Sequence, residues 1–307
     1  MRVLTVTTGN ILPISAFITD HIEKLEERSI ATDCFLVKGK GIRGYLKNLS
    51  LLKNKIRSFQ PDLIHAHYGL SGLLSTLQND VPVVTTFHGS DINLSKIRPF
   101  SYLAYLRADA SIFVSRDLAA TIRARKYHYI PCGVDFDLFK PLSRSETREY
   151  FGMDPDRKYI LFSSHFDNGV KNYALAEESI GLLEDPGIHV LELKGYDRKE
   201  VAMLMNAANL CLMTSKSEGS PQFIKEAMAC GTPIVSTDVG DVREMIEKTD
   251  GCYVTDSNPN SIARSIKNAL QFTGKTHGRE DIRSMDSETI TDQIIEVYNT
   301  ILRRDLR

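Results

Sequence analysis

Two glutamates bracket the part of this chain whose residue types and spacing point most directly to chemistry. Glu218 stands with Gly219 in a predicted turn, and Glu226 follows on a predicted helix. Ser220 and Pro221 mark the start of that helix, because Ser is favoured at the N-cap and Pro at the first helical position. One carboxylate therefore precedes the helix and the other lies along it.

The first free amides of this helix, at Gln222 and Phe223, would point back toward the turn and form a site for phosphate. With a carboxylate on each side to accept hydrogen bonds from hydroxyls, such a site suits a nucleotide-sugar. The same residues also fit an ordinary amphipathic helix, with Phe223 and Met228 on its apolar face. In that interpretation Gln222, Lys225 and Glu226 form its solvent-exposed side.

Residues 208–244 carry a longer pattern around these glutamates, with seven residues between them and Ala-Met-Ala-Cys-Gly-Thr-Pro-Ile-Val after the second. The pattern resembles the signature of retaining glycosyltransferases of family 4. The resemblance implies an α/β protein with the GT-B fold, in which two Rossmann-like parallel-sheet domains face a central cleft. It implies that Glu218 contacts sugar hydroxyls, that Glu226 takes the ribose hydroxyls, and that residues 219–223 hold the diphosphate.

Lys171 is a further group that the resemblance singles out. It lies near the end of the loop 163–172, where the family has an Arg and a Lys that grip the diphosphate. Lys171 matches the lysine, but the loop contains no arginine, so the second cation is missing or replaced by His165 or Asn168. Tyr196, after the next predicted strand, could stack on the nucleotide base or be an ordinary surface tyrosine.

In the first half of the chain, His88 matches the His of the family's Thr-Phe-His motif. The match implies contact with the transferred sugar, where an imidazole can hydrogen-bond a hydroxyl or share a proton; taken alone, His88 could be an ordinary loop histidine. Asp91 follows as a donor-binding candidate, and His67 is a candidate for contact with the acceptor. Gly9 and Asn10 occupy the first strand-to-helix turn, where the family has two glycines near the donor phosphate.

The length of 307 residues suits two domains of about 150 residues each. Residues 1–142 contain 18 Lys/Arg and 12 Asp/Glu, and the remainder contains 20 and 27, so the first half is basic. We expect an acceptor-side domain over 1–142 and a nucleotide-sugar domain over 143–286. The resemblance implies that a final helix, about 287–307, packs back on the first domain.

Alternation of short apolar runs with helical segments predicts a parallel sheet in each domain. The predicted strands are Val3–Thr7, Asp33–Val37, Asp62–Ala66, Val83–Phe87, Ser111–Val114, His128–Ile130, 158–163, 188–193, 209–213 and 233–236. The predicted helices are 13–28, 44–58, 69–78, 98–107, 116–125, 171–183, 198–208 and 221–230.

Residues 38–57 hold seven Lys/Arg and no acid, with apolar residues interspersed. Three interpretations are possible: a solvated helix face, a contact with an anionic membrane surface, or a contact with nucleic acid. We do not expect the chain to bind nucleic acid. Five cysteines, odd in number and widely spaced, indicate a reducing compartment without a zinc site. We expect a cytoplasmic protein, peripheral at the inner face of the membrane, without a metal or other cofactor.

Together these features predict a retaining, hexosyltransferase-type enzyme that moves a sugar from a nucleotide diphosphate-sugar to a hydroxyl of a glycan or lipid-linked acceptor. The resemblance extends to bacterial enzymes of surface-polysaccharide assembly, such as the teichuronic-acid type. Two alternatives remain open. The absent arginine is compatible with a non-catalytic donor-binding subunit, and the same fold also hosts sugar-nucleotide epimerases.

Overall fold

The computed structural model describes residues 1–10 and 14–304, and the chain divides into two compact units. The first comprises residues 1–133 together with the C-terminal helix, and the second comprises residues 134–286. The predicted helix start at Pro13 lies outside the described residues.

Six parallel strands form the sheet of the first unit. They are β1 (Arg2–Thr8), β2 (Ala31–Val37), β3 (Leu63–His67), β4 (Val83–Phe87), β5 (Ala110–Phe113) and β6 (His128–Tyr129). Their order in the sheet is β2-β1-β3-β4-β5-β6. The strands β3 and β4 are buried along their whole length, as parallel strands covered by helices must be. All six predicted strands are confirmed, with ends shifted by at most two residues.

The helices between these strands differ from prediction in three ways: one predicted helix is interrupted, a short helix at residues 90–93 was not predicted, and the helices predicted over 69–78 and 116–125 end three and four residues early. They are α1 (Ala16–Glu27), α2 (Gly41–Leu46), α3 (Leu49–Phe59), α4 (Gly69–Ser75), α5 (Ser90–Asn93), α6 (Arg98–Arg107) and α7 (Arg116–Thr121). The single helix predicted over 44–58 is interrupted at the buried Asn48. Its Nδ2 group donates to the backbone carbonyls of Lys38 and Gly44, both at 2.8 Å. An asparagine that bonds to nearby backbone in this way favours a break over a continuous helix.

The second unit repeats the architecture on a sheet of five parallel strands. They are β7 (Lys158–Phe162), β8 (Ile188–Leu191), β9 (Leu210–Met213), β10 (Ile234–Thr237) and β11 (Cys252–Thr255). Their order is β11-β10-β9-β7-β8. The helices are α8 (Arg144–Tyr150), α9 (Tyr173–Gly181), α10 (Arg198–Ala207), α11 (Gln222–Ala229), α12 (Val242–Ile246), α13 (Pro259–Gln271) and α14 (Gly278–Asp281).

The division between the units falls after Gly133, nine residues before the predicted boundary at 142. Val134 donates its backbone N–H to the carbonyl of Met285 at 2.9 Å, and Phe139 is buried in the apolar core of the second unit. Residues 134–142 therefore belong to the second unit, because their apolar side chains are buried there.

The final helix, α15 (Ser287–Arg304), belongs to the first unit. Val297 and Tyr298 lie in the same apolar cluster as Val3 and Leu63 of the sheet. At the start of α15, the Glu288 carboxylate pairs with the side chains of Lys24 and Arg28, each at 2.7 Å. The core of the first unit is therefore built from both ends of the chain.

Candidate active site

Three loops of the second unit lie side by side at the carboxyl edge of its sheet. They follow β7, β9 and β10 and contain residues 163–172, 214–221 and 238–241. Since these three strands are neighbours in a parallel sheet, the loops that follow them share one edge. Nearly all the residues predicted to bind the donor from this half of the chain lie in these loops or at the start of α11.

Lys171 and Glu218 form an ion pair between two of these loops. The Lys171 Nζ atom lies 2.7 Å from the Glu218 Oε1 atom, and the side chains are only 20% and 16% exposed. The backbone of Lys171 is fixed as well, because its carbonyl accepts a hydrogen bond from the Thr214 hydroxyl at 3.1 Å. The structure thus brings together the two side chains that were predicted to handle the diphosphate and the sugar.

The helix that carries Glu226 begins one residue later than predicted. Pro221 is its N-cap, with φ −70° and ψ 120°, and as a proline it has no side-chain oxygen to cap the helix. The prediction of a Ser220 cap is therefore wrong, because the extended Pro221 separates Ser220 from the helix. Phe223 can offer an anion only its backbone amide, since its side chain is buried.

Gly240 determines how closely the loop after β10 packs on the turn that presents Glu218. Its φ is +57°, and an added Cβ would lie 2.5 Å from the carbonyl oxygen of Gly219. Glycine alone combines this backbone conformation with such a close approach. The loop after β10 therefore supports the turn of Glu218 and Gly219.

Replacing Gly240 with alanine is expected to raise KM for the donor several-fold and to lower the free energy of unfolding by about 2–3 kcal/mol, because the methyl group displaces Gly219. The matched control is Gly152→Ala, since Gly152 also has a left-handed backbone, at φ +63°, but nothing within 4 Å of an added Cβ. Urea unfolding and donor kinetics of both variants test this. Equal losses in the two variants would contradict the packing role.

Lys225 lies on the buried side of α11, where the amphipathic interpretation had placed it in solvent. Its side chain is 0% exposed. Burial raises the pKa of the nearby Asp241 carboxyl, and the charge of Lys225 lowers it. The charge of Lys225 thus offsets only part of the effect of burial, and the pKa of Asp241 remains raised. The sequence analysis did not identify Asp241. The available signal was its position directly after Gly240, in the loop that follows a predicted strand.

The residues suggested as replacements for the missing arginine are engaged within their own loop. His165 pairs with Asp167, and the Asn168 side chain accepts a hydrogen bond from a backbone N–H of the same loop at 3.2 Å. Tyr196 follows β8 at the same sheet edge and is 41% exposed. Its ring stands edge-on to Phe151, at 6.1 Å between centroids.

In the first unit, Gly9 and Asn10 connect the end of β1 to the loop after β2. Gly9 donates its N–H to the carbonyl of Val37 at 2.8 Å, and an added Cβ would lie 2.9 Å from Leu36 Cβ. The Asn10 side chain exchanges two hydrogen bonds with the backbone of Gly39, each at 2.8 Å. Packing against β2 therefore accounts for Gly9, while Asn10 lines an open pocket at this edge.

His88 lies directly after β4, with both ring nitrogens within reach of other side chains. The Nε2 atom is 3.0 Å from Nδ1 of His67, and the Nδ1 atom is 3.6 Å from Sγ of Cys132. The rings of Phe17 and Tyr68 lie 4.7 and 4.8 Å away. Sequence reasoning missed these four neighbours as supports of His88, since they come from separate parts of the chain.

His67 is buried, and this burial does not fit its predicted contact with the acceptor. Its side chain points to His88, while the next residue, Tyr68, has φ +70° and lines the open pocket. Asp91, predicted to bind the donor, is buried at the lining of the open pocket. Its carboxylate accepts backbone N–H groups of Gly69 at 3.0 Å and Gly89 at 2.9 Å, which fixes the loop after β4. Burial raises the pKa of Asp91 to about 6.

Two more histidines, His21 and His65, lie behind His67 in the interior of the first unit. The Tyr298 hydroxyl is 3.1 Å from His21 Nε2 and 2.6 Å from His65 Nδ1. Burial lowers the pKa of His21 to about 4 and the pKa values of His65 and His67 well below 6.5. Over residues 1–10 and 14–304, no group of three or more His, Cys, Asp or Glu side chains is placed to share a metal ion.

Two family models match this chain. Residues 17–138 match Glycosyltransferase Family 4, and residues 169–271 match Glycosyl transferases group 1. The two matches cover the loops of the first unit around His88 and the loops of the second unit around Lys171 and Glu218.

Similar proteins agree with these matches. TuaC of Bacillus subtilis, a glycosyltransferase assigned to teichuronic acid biosynthesis, is 26% identical over 241 residues, which cover 69% of this chain and 62% of TuaC. Sucrose-phosphate synthase of Thermosynechococcus elongatus has a TM-score of 0.81 at 17% identity, with 99% and 100% of the chains covered. Anabaena HepE in complex with UDP has a TM-score of 0.77 at 19% identity, with 98% and 100% covered. At this identity the structural likeness shows the fold.

Proposed function

Because the chain belongs to glycosyltransferase family 4 and has the GT-B fold, we propose that it transfers a sugar from a nucleoside diphosphate donor to an acceptor hydroxyl with retention at the anomeric carbon. The observation that carries the proposal is the ion pair of Lys171 with Glu218 beside the start of α11. A cation, a carboxylate and the first-turn amides of a helix are the groups that a phosphorylated sugar requires.

In the proposed reaction, Lys171 and the amides at Gln222 and Phe223 bind the diphosphate and neutralise the charge that grows as it leaves. Glu218 binds hydroxyls of the transferred sugar, and Glu226 binds those of the ribose. The bond from the anomeric carbon to the phosphate oxygen breaks, and a bond to the acceptor oxygen forms on the same face. The acceptor proton passes to the departing phosphate oxygen. We expect no metal ion to be required, because backbone dipoles and Lys171 supply the electrostatic stabilisation.

His88 is proposed to contact the transferred sugar. Its ring is held by His67 on one nitrogen and by Cys132 on the other. Such contacts fix the orientation of an imidazole and decide which nitrogen carries the proton. We propose that His88 hydrogen-bonds a sugar hydroxyl once it exchanges one of these partners.

The acceptor is proposed to be a glycan or a lipid-linked sugar in the assembly of a bacterial cell-surface polysaccharide. Support comes from the similarity to TuaC and from the basic, acid-free residues 38–57. A chain that draws its acceptor from a lipid carrier would lie peripheral to the inner face of the cytoplasmic membrane.

A donor panel tests the proposal. The melting temperature is measured with UDP, GDP, ADP and their sugars, and turnover of the stabilising nucleotide-sugar to free nucleoside diphosphate is then followed. We expect Glu218→Ala and His88→Ala to lower turnover at least 100-fold. The exposed Glu244→Ala is the matched control and should lower it less than threefold.

Each alternative function predicts a different outcome of these measurements. Binding of a nucleotide-sugar without any turnover in the presence of acceptor extracts would identify a donor-binding subunit, the function that the missing arginine favours. Epimerised nucleotide-sugar as the sole product would identify an epimerase. Failure of every nucleotide and nucleotide-sugar to raise the melting temperature would contradict all three.

A further inference from the structure

Two acid-free, basic segments of the first unit contribute to the lining of the open pocket at the carboxyl edge of its sheet and extend away from it along the surface. One is residues 38–57, with seven Lys/Arg, and the other is residues 92–108, with three. The pocket, of about 380 Å³, is lined by Lys40 and Tyr45 from the first segment and by Ile97 from the second. Of these ten cations, only Lys55 forms an ion pair in the part of the chain that the structure describes, and its partner is Asp33. The positive charge of both segments is therefore mostly not neutralised by acidic side chains, although Arg98 and Arg107 also donate to backbone carbonyls.

The second segment exposes an apolar helix face. Residues on one side of α6 recur at helical spacing, and their exposed fractions are large for apolar side chains: 44% for Tyr102, 45% for Leu103 and 59% for Leu106. Leu94, just before α6, is 54% exposed. The opposite face of α6 packs on α4 and buries Ala104 completely. The exposed leucines are thus not needed for the core of the unit.

The first segment repeats this combination of leucine and cation. Leu46 at the end of α2 and Leu51 in α3 are 42% and 58% exposed. Between and beside them lie Arg43 and Lys47, both exposed. Leucines among unpaired cations on a helix surface are typical of segments that lie in the interface of an anionic bilayer.

We infer that α6 with Leu94 and the α2–α3 segment together form a membrane-docking surface that sets the mouth of the open pocket on an anionic bilayer. Its occupant is a lipid headgroup layer, because a protein partner of matching charge would leave the leucines against acidic side chains. One part of the inference rests on the proposed function. If the chain transfers a sugar, a bilayer at the pocket mouth assigns its acceptor to the lipid-linked class. No helix in the described residues is long and apolar enough to cross a membrane, so the contact would be superficial.

Co-sedimentation with vesicles of 30% phosphatidylglycerol in phosphatidylcholine, without donor or acceptor, tests the docking surface. We expect binding at 100 mM NaCl that falls strongly at 500 mM and on pure phosphatidylcholine. Arg43→Gln with Lys47→Gln should weaken binding about 25-fold, since each charge near an anionic surface contributes about fivefold. Leu103→Gln with Leu106→Gln should weaken it about tenfold or more.

Matched controls come from the second unit. Arg264→Gln with Lys267→Gln removes two exposed cations of α13, and Leu182→Gln removes a leucine that is 50% exposed. Both controls should bind within twofold of the unmodified chain. Equal binding to neutral vesicles, or equal losses in the control and test variants, would overturn the inference. So would a change of the Leu103/Leu106 variant only in oligomeric mass, which would assign the surface to a second copy of the chain.

Transfer to a short, water-soluble acceptor separates this inference from the proposed function. The docking variants should transfer sugar to such an acceptor at the unmodified rate while they lose vesicle binding. A chain that binds vesicles but transfers nothing would contradict the proposed function and leave the docking surface standing.

Discussion

Replacing Lys171 with methionine is expected to lower kcat about 10³-fold, because the charge on the departing diphosphate would lose its cation. The side chain of Lys171 is mostly buried and makes a 2.7 Å contact with Glu218. Water that replaced the ammonium group in such a site would stabilise the charge of the diphosphate less well. The affinity for nucleoside diphosphate should fall at least tenfold as well, the usual effect of losing a charge-assisted hydrogen bond. Steady-state kinetics and calorimetry measure the two effects.

Lys216 provides the matched control. It lies in the neighbouring loop of the same sheet edge but is exposed, so Lys216→Met should change kcat less than threefold. If Lys171→Met kept both turnover and nucleotide affinity within threefold, Lys171 would be a structural partner of Glu218 and nothing more.

Substitution of Glu218, the partner of Lys171, should change nucleotide affinity and turnover in opposite directions. Glu218→Gln removes the negative charge that neutralises Lys171 in the free protein, so UDP or GDP alone should bind several-fold more tightly. The same change removes a carboxylate from the sugar site and should lower kcat. Opposite changes in nucleotide affinity and turnover separate a functional ion pair from one that only stabilises the fold.

The buried histidines predict a second large effect, on stability. The free energy of unfolding should fall by about 3 kcal/mol between pH 7 and pH 5.5. His21, His65 and His67 have pKa values lowered by burial, so they stay neutral in the folded chain and take up protons on unfolding. The stability that they provide as neutral groups is complete above pH 6.5 and declines as the pH falls toward 4. Between pH 7 and pH 5.5 the three histidines together remove about 4 kcal/mol. Asp91, with a pKa raised to about 6, takes up a proton in the folded chain and restores about 1 kcal/mol.

Urea unfolding at the two pH values measures this dependence. His21→Phe keeps a ring in place but removes one titrating group, so it should reduce the pH dependence by about 1 kcal/mol. Stability that is flat between pH 7 and pH 5.5 would show that these histidines reach solvent.

The fold could be predicted closely because parallel strands are continuous apolar runs, and β3 and β4 are recognisable from their residues alone. Local breaks were harder to predict. Asn48 ends one helix through bonds to backbone carbonyls that come close only in the folded chain. The position of the boundary between the units was missed for a similar reason, since Phe139 could pack in either unit as far as its own sequence shows.

The candidate site was predictable where a motif specifies a loop and less so where distant residues meet. Lys171 and Glu218 lie in separate loops; the resemblance to family 4 assigned both to the donor, and the structure joins them in an ion pair. The burial of Lys225 could not be predicted, because the spacing of α11 suggests one solvent-exposed face whereas six of its eight residues are buried. The burial of His67 could not be predicted either, because the alternation of residues along a strand does not show that its side chain will contact His88 after the neighbouring strand.

Tyr298 of α15 forms hydrogen bonds with His21 and His65 in the interior of the first unit, and this has a consequence for biosynthesis. During translation the first 133 residues leave the ribosome long before the residue that completes their core, so that unit must wait, partly open, while residues 134–286 emerge and fold. A chain released before α15 is made would keep an intact second unit but expose His21 and His65 to water. Such a product should be cleaved rapidly by proteases in its N-terminal portion.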